Sequence, residues 1–462
     1  MQQPPHPLVL PVRPPVPEPP ASPLPAWEVF RRMRRNVITT WPRAAYDEMV
    51  LRRRLFGADM LIVNEPAMVR QVLTGHGTTY ARPVALRRPL RPALRNGVLL
   101  SEGADWRRQR RILAPLFTPA AVGGLLPHFA AAGEAMLRGL AANRVNLADV
   151  LQRAALDAVC RALFSLPAQA IGAAGLPELL REFLDGVGRL RLLDFLARAD
   201  GDFAAFGRDR QEFAGRWCAA IDTVLRARLA LPPEQTGHDV IHLLLSARDP
   251  EGGGALSADE VHEQAATLLA AGFETTARAM FWTVYLLAMD RAALGEVQAE
   301  LAAFPPAGLR TPADLARWPA LRRSFLEALR LYPTVPFLSR VALVPHRLGT
   351  IDVAAGTLVL VCPWIIHRHR RFWDDPDAFL PSRWAGREEQ TGPNYLPFGG
   401  GPRICLGAAF AQVEAMVLLA TLLAARTPEL DDDRIVLPQV VLTTVPAPEP
   451  WFRLRPVSAP LR

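Results

Sequence analysis

Apolar residues recurring every three to four positions dominate the chain from Asp105 to about Glu300. They predict one helix after another, broken by proline and glycine clusters such as Leu231-Pro-Pro233 and Asp249-Pro-Glu-Gly-Gly-Gly254. The longest helical pattern runs from Ser257 to Asp290. It opens with Ser257-Ala-Asp-Glu260, whose serine and glutamate can satisfy free amides at a helix start. It then stays apolar on nearly every face, so it is expected to run buried through the middle of the molecule. Another helix carries Trp318, Leu321, Phe325 and Leu329 as its apolar stripe and is ended by Pro333. A short helical start spans Trp27 to Arg35. Strand patterns occur at Met60-Leu-Ile-Val63, expected at a sheet edge, at Thr357 to Val361, and at Val436 to Val445. No internal repeat is found. The pattern predicts a mainly α protein with small β-sheets and a long central buried helix, forming a single domain over residues 26–462.

Ahead of that domain, the first 25 residues hold eleven prolines. Such a segment is extended or disordered and cannot form a signal-peptide core or an anchor helix. The longest uncharged stretch, Ile112 to Gly133, carries Pro115, Pro119, Pro127 and the pair Gly123-Gly124, which rules out a continuous spanning helix. The expectation is a cytoplasmic, bacterial-type monomer with no membrane anchor.

Composition changes this picture little. Length alone, 462 residues, suggests two or three domains, and 50% hydrophobic residues are ample for a large core. The cysteines Cys160, Cys218, Cys362 and Cys405 show no C-x-x-C spacing, which argues against a disulfide framework or a zinc cluster. All 53 basic residues are arginines, giving a net charge of +8. They are spread through helical patterns without any nucleic-acid motif, so nucleic-acid binding is excluded as a class. Arg87, Arg88, Arg91 and Arg95 read as a solvated face rather than a carboxylate-binding group.

The candidate chemistry centres on Phe398-Gly-Gly-Gly-Pro-Arg-Ile-Cys-Leu-Gly407, which has the form F-x-x-G-x-R-x-C-x-G. A thiolate that holds a metal needs its charge stabilised. The glycine-rich approach turns backbone amides toward Cys405, and the helical pattern beginning at Ala408 offers a positive N-terminal end. Gly401 and Gly407 suit a tight turn that a flat cofactor can approach. Arg403 sets a fixed cation two residues from the sulfur, and Phe398 would pack beside it. Within the long helix lies Ala271-Gly-Phe-Glu-Thr-Thr276. A helix glycine costs about 1 kcal/mol relative to alanine, so Gly272 calls for a reason, and small residues at Ala271 and Gly272 would let a flat group lie against the helix. Ala271 and Thr275, four apart, share one face. Buried Glu274 is costly unless paired or hydrated, and an acid beside a hydroxyl suits proton relay.

Together with Trp106-Arg-Arg-Gln-Arg110, Glu327-Ala-Leu-Arg330 and Phe379-Leu-Pro-Ser-Arg-Trp384, these motifs, in this order, resemble the cytochrome P-450 family. The resemblance implies that family's triangular α-rich fold and a haem b whose iron is ligated by the Cys405 thiolate. It implies propionate contacts from Trp106, Arg110, Arg340 and Arg403, cofactor contacts from Ala271, Gly272, Phe398 and Gly407, and proton steering by Glu274 and Thr275. Glu327, Arg330 and Arg383 would form a buried structural triad; Ser382 stands where the family usually has an acid. His367 and His369 are assigned no ligand role.

The activity implied is insertion of one oxygen atom from O2 into a lipophilic small molecule. No flavin or iron–sulfur segment is found, so electrons would come from a separate ferredoxin-like protein and its NAD(P)H-dependent reductase. Arg107, Arg108 and Arg111 would face outward as its docking patch. Apolar segments at Val98–Leu100, Leu268–Gly272, Val335–Leu338 and Val441–Thr443 would line the substrate pocket. The alternatives are a peroxide-driven relative, or a haem-binding sensor or scavenger without turnover.

Overall fold

The computed structural model describes residues 11–457 apart from 56, 76, 141, 173–174, 192–193, 195–206, 237–238, 388–391 and 441. The longer helices among the described residues include α1 (Ala26–Met33), α2 (Pro66–Thr74), α3 (Gly103–Leu113), α4 (Leu126–Arg138), α5 (Leu147–Phe164), α6 (Arg208–Leu229), α7 (Ala258–Met289), α8 (Pro319–Leu331) and α9 (Ala408–Ala425). The strands used below are β1 (Val50–Leu55), β2 (Ala58–Val63), β3 (Tyr80–Ala81), β4 (Leu338–Ala342), β5 (Leu358–Val361), β6 (Leu437–Val440) and β7 (Thr444–Ala447).

The central helix forms where its caps and its apolar faces require. Ser257 Oγ accepts from the Glu260 amide at 3.2 Å, and Glu260 Oε2 accepts from the Ser257 amide at 2.8 Å, closing the capping box. From Phe273 to Leu287 α7 is almost entirely buried. It packs against α4's neighbour α5 on one side and against α8 and α9 on others. Trp282 stacks on Tyr332, just beyond α8, with ring centroids 3.8 Å apart, and its Nε1 donates to the Thr444 carbonyl at 2.9 Å. One side chain thus fixes α7 against α8 and β7, and stacking adds about 0.5–1.5 kcal/mol beyond area burial. Among the described helices, α9 alone is long and apolar enough to cross a membrane. Here Phe410 and most of Val413 to Leu423 are buried in the core.

The main sheet has the order β1-β2-β5-β4-β3. Leu61 pairs in parallel with Val359, and Val359 pairs antiparallel with Arg340, which places Arg340 on an inner strand. Three sequence expectations are corrected. Met60–Val63 is an interior strand, flanked by β1 and β5, and Leu61, Ile62 and Val63 are buried accordingly. Val436–Val445 is a hairpin, with Leu437 opposite Ala447 and Val440 opposite Thr444. Residues 11–25 are extended, as prolines demand, but they are docked on the domain: the Phe379 amide donates to the Val12 carbonyl at 2.8 Å, Arg13 pairs with Asp375 at 2.7 Å, and Val12 and Val16 pack on the core. Residues 1–10 of the proline-rich segment lie outside the described residues.

Candidate functional site

Behind the cysteine loop stands a buried ionic frame. Glu327 and Arg330, one helical turn apart on α8 and both fully buried, pair bidentately at 2.8 Å. Arg383 Nε donates to Glu327 Oε1 at 3.2 Å, and Trp384 Nε1 donates to Oε2 at 3.0 Å. Arg330 also donates to the carbonyls of His367, Pro376 and Ala378. Removing one partner of a buried pair costs about 3–5 kcal/mol, because the other charge is stranded. The three triad residues are therefore brought together as expected. His367, assigned no ligand role from the sequence, lies fully buried and joins this frame to the loop: the Leu396 amide donates to its Nε2 at 2.7 Å.

From Leu396 the chain turns through Gly399 and Gly401 to Cys405, whose amide donates to the Phe398 carbonyl at 2.9 Å. Gly401 has φ +67°, and a Cβ there would lie 2.5 Å from the Leu73 carbonyl oxygen at the end of α2. Glycine is required on both counts. Gly407 is different: it is the N-cap of α9 with φ −87°, and a Cβ would meet nothing within 4 Å. The tight-turn argument holds for Gly401 and fails for Gly407.

Cys405 is open to solvent on one side, the only one of the four cysteines classed as exposed. Protein packed around its other sides pushes the thiol up, while the Gly407 amide and the Arg110 guanidinium pull it down. Arg110 on α3 is held below its ordinary value by burial, with the Cys405 charge acting the other way. Arg403 lies over the Trp106 ring at 4.0 Å and donates to the Ser101 carbonyl and to Glu102 Oε2 at 2.8 and 2.7 Å. Burial and the nearby Arg82 bring Arg403 down to about 9 and Arg340 to about 10. The Nε atoms of Arg340 and Arg403 are buried without a hydrogen-bond partner. A cluster of buried guanidinium groups with unused donors is chemically fitted to carboxylates.

α9 begins three residues after Cys405 and packs on α7. Glu414 of α9 is fully buried, and burial holds its carboxyl well above the usual range. Thr276 of α7 lies beside it and acts in the opposite direction. The Thr276 hydroxyl nevertheless donates to the Gly272 carbonyl, leaving both Glu414 oxygens without a donor. Thr275 likewise donates to the Ala271 carbonyl at 3.0 Å. Two successive back-bonding hydroxyls favour a slight bend in α7 at this point. Ala271 is exposed and Thr275 partly so, on a helix otherwise buried here, so their shared face opens to the site.

Glu274 lies elsewhere. Its carboxylate accepts from Arg278 Nε at 2.8 Å, Gln152 Nε2 at 2.7 Å and Thr443 Oγ1 at 3.4 Å. It lines a cavity of about 1180 Å³ together with Phe273, Arg278, Leu442 and Thr443. Cys405, Thr275 and the arginine cluster do not line that cavity. Glu274 and Thr275 therefore serve different sides of α7. The Arg278 partner was legible, since an acid and a base four apart share a helix face; Gln152, on α5, carried no signal.

At Gly272 a Cβ would sit 3.3 Å from Val159 Cγ2 on α5, so the reason for glycine that the packing supplies is close approach of α5 to α7. The arginines read as a solvated face are corrected. Arg88 is buried and pairs with Asp194 at 3.2 Å, Arg87 pairs with Glu102 at 3.5 Å, Arg91 donates to the Arg95 carbonyl, and Arg95 reaches Glu263. The docking patch is reduced as well. Arg108 pairs with Glu260 at 2.7 Å and Arg111 with Asp249 at 3.0 Å, which leaves Arg107 exposed.

Of the apolar segments expected at the pocket, Ala271, Leu99 and Val335 are exposed, and Leu268, Phe337 and Leu338 partly so. Val98 and Leu100 turn into the core. Residue 441 lies outside the described residues. The 97–101 segment is itself fastened to α7: the Val98 amide donates to Gln264 Oε1 at 2.9 Å, and the Leu94 carbonyl accepts from Thr267.

Known proteins resemble this chain in sequence and in fold. The sequence model described as "Cytochrome P450" matches residues 16–447. Cyclooctatin synthase of Streptomyces melanosporofaciens is 32% identical over 370 residues, covering 77% of this chain and 78% of that protein. Cyclooctat-9-en-7-ol 5-monooxygenase of the same organism is 28% identical, covering 77% of each. The crystal structure of a mutant cytochrome P450DA heme domain superposes with a TM-score of 0.75 over 89% of this chain and 90% of that one; at 24% identity it speaks for the fold. The chain belongs to the cytochrome P-450 family and is a haem-dependent monooxygenase.

Proposed function

We propose that this protein binds haem b with Cys405 as the axial thiolate ligand and inserts one oxygen atom from O2 into a lipophilic small molecule. The observation that carries the ligand assignment is the position of Cys405. It is solvent-open and stands three residues before α9, where the Gly407 amide and the Arg110 charge both favour its thiolate, whereas Cys160 and Cys362 are buried and held high by burial. The haem, when bound, supplies the oxygen-activating chemistry, and a thiolate's electron donation favours O–O cleavage.

This chain's own residues do the rest. Arg340 and Arg403, with Trp106 and Arg110, would hold the propionates. Ala271 leaves room on α7. The Thr275 hydroxyl holds a proton on the open face, while Glu274, hydrated from the cavity, would take up protons on the other. Exposed Leu99, Ala271 and Val335 favour an apolar substrate; one relative's name specifies an unsaturated alcohol. Electrons would come from a ferredoxin-like protein served by an NAD(P)H-dependent reductase.

The reduced, carbon-monoxide-treated protein should show the red-shifted Soret band of thiolate ligation. Cys405→Ser should lose it, and serine at 160, 218 or 362 should keep it. Loss of the band in one of those three, with the fold intact, would overturn the assignment.

A further inference from the structure

Glu102 is the N-cap residue of α3, but its carboxylate does not cap the helix. It turns instead into the arginine cluster. Arg403 Nη2 donates to Oε2 at 2.7 Å, Arg82 pairs with Oε1 at 2.9 Å, and Arg87 lies 3.5 Å from the same oxygen. Arg82 also donates to the carbonyls of Leu99 and Ser101, and Arg403 to that of Ser101. Arg340 is in the same field: Arg82 opposes its charge and Glu102 supports it. The four arginines and the one acid thus give +4 − 1 = +3. Arg82 and Arg403 repel each other in a partly buried setting, where charges interact more strongly than in water. Burial and Arg82 weaken the Arg403 cation, and Glu102 works against both.

We propose that Glu102 is a positioning residue for the haem carboxylates. It holds Arg82 and Arg403 side by side against their repulsion, and it cancels one of the positive charges the cluster presents. This rests on the reading that Arg340 and Arg403 receive the propionates. Two consequences follow from electrostatics. A negative charge near the haem disfavours addition of an electron, so removing it raises the iron's midpoint potential. Loosened arginines also hold the propionates less firmly, so haem leaves faster.

The test uses the holoprotein. Midpoint potential is measured by spectroelectrochemical titration and haem release by transfer to apomyoglobin, for the parent, Glu102→Gln and Glu102→Asp. Glutamine is expected to raise the potential and quicken release roughly tenfold, the scale on which outer-shell partners act. Aspartate keeps the charge but cannot span both arginines. It should quicken release while leaving the potential near the parent's.

A glutamine variant with altered release or melting temperature but an unchanged or lowered potential would overturn the proposal. If glutamine abolishes haem uptake, the aspartate variant decides, and release at the parent's rate would overturn it. The carbon-monoxide Soret band should stay in place in all three. Its absence from the parent would count against Cys405 ligation, a separate failure.

Discussion

The Leu396 amide donates to His367 Nε2 at 2.7 Å, while His367 Nδ1 lies 3.2 Å from the Arg330 carbonyl. The accepting Nε2 fixes the proton on Nδ1, so one neutral imidazole joins α8 to the turn segment that leads into the cysteine loop. Burial, with Arg330 adding to it, drops this group from 6.5 to about 3. The unfolded chain therefore binds a proton that the folded one refuses. Stability from this group is complete above about pH 6.5 and is lost as pH falls toward 3. His367→Ala should cost about 1–3 kcal/mol for each buried group left unpaired. Denaturant melts between pH 7 and pH 4.5 should show a shallower acid decline in the variant; equal slopes would exclude His367 from the acid response.

Thr275 donates only to the Ala271 carbonyl one turn back. Thr275→Ala removes no interhelical bond and should leave the unfolding free energy within about 0.5 kcal/mol of the parent's. Product formed per electron consumed should fall, with hydrogen peroxide making up the difference. Coupling equal to the parent's would take Thr275 out of proton handling.

Gly401 and Gly407 should respond unequally to alanine. At Gly401 a side chain meets both a positive φ and the Leu73 carbonyl, so alanine should cost about 1–3 kcal/mol and loosen α2 from the loop. At Gly407 the backbone is ordinary and the space open, so the cost should stay below about 1 kcal/mol. Chemical denaturation of the two variants checks this directly, and equal losses would contradict the geometry.

Charge reversal on α3 should separate docking from stability. Arg107 is exposed, whereas Arg108 is tied to Glu260 at the start of α7. Arg107→Glu should slow reduction by an acidic ferredoxin, more so at low salt, without changing substrate affinity. Arg108→Glu should also lower stability by repelling Glu260. Reduction rates indifferent to Arg107→Glu and to salt would place the donor elsewhere.

What the sequence disclosed was local. The cysteine decapeptide, the capping box at Ser257 and the one-turn spacing of Glu327 and Arg330 each announce themselves within a few residues, and the capping box and the Glu327–Arg330 pair form as expected. What it concealed depends on partners remote in sequence. The contact of Gly272 with Val159 gave no signal because Val159 lies on another helix. Arg108 and Arg111 looked free because Glu260 and Asp249 follow more than a hundred residues later. The strand at Val436–Val445 looked continuous because its alternation does not mark the reversal.

The contact between Gly272 and Val159 has a bearing on how this enzyme could change. Where Gly272 meets Val159, the spacing of α7 from α5 depends on how closely the two helices can approach. A larger residue at 272 would push α7 off α5, and a smaller one at 159 would let it settle back. The placement of Ala271 and Thr275, which share α7 with Gly272, can therefore drift through substitutions on α5 that never touch a substrate, and selection for a bulkier or slimmer molecule has a route that leaves the chemical groups untouched.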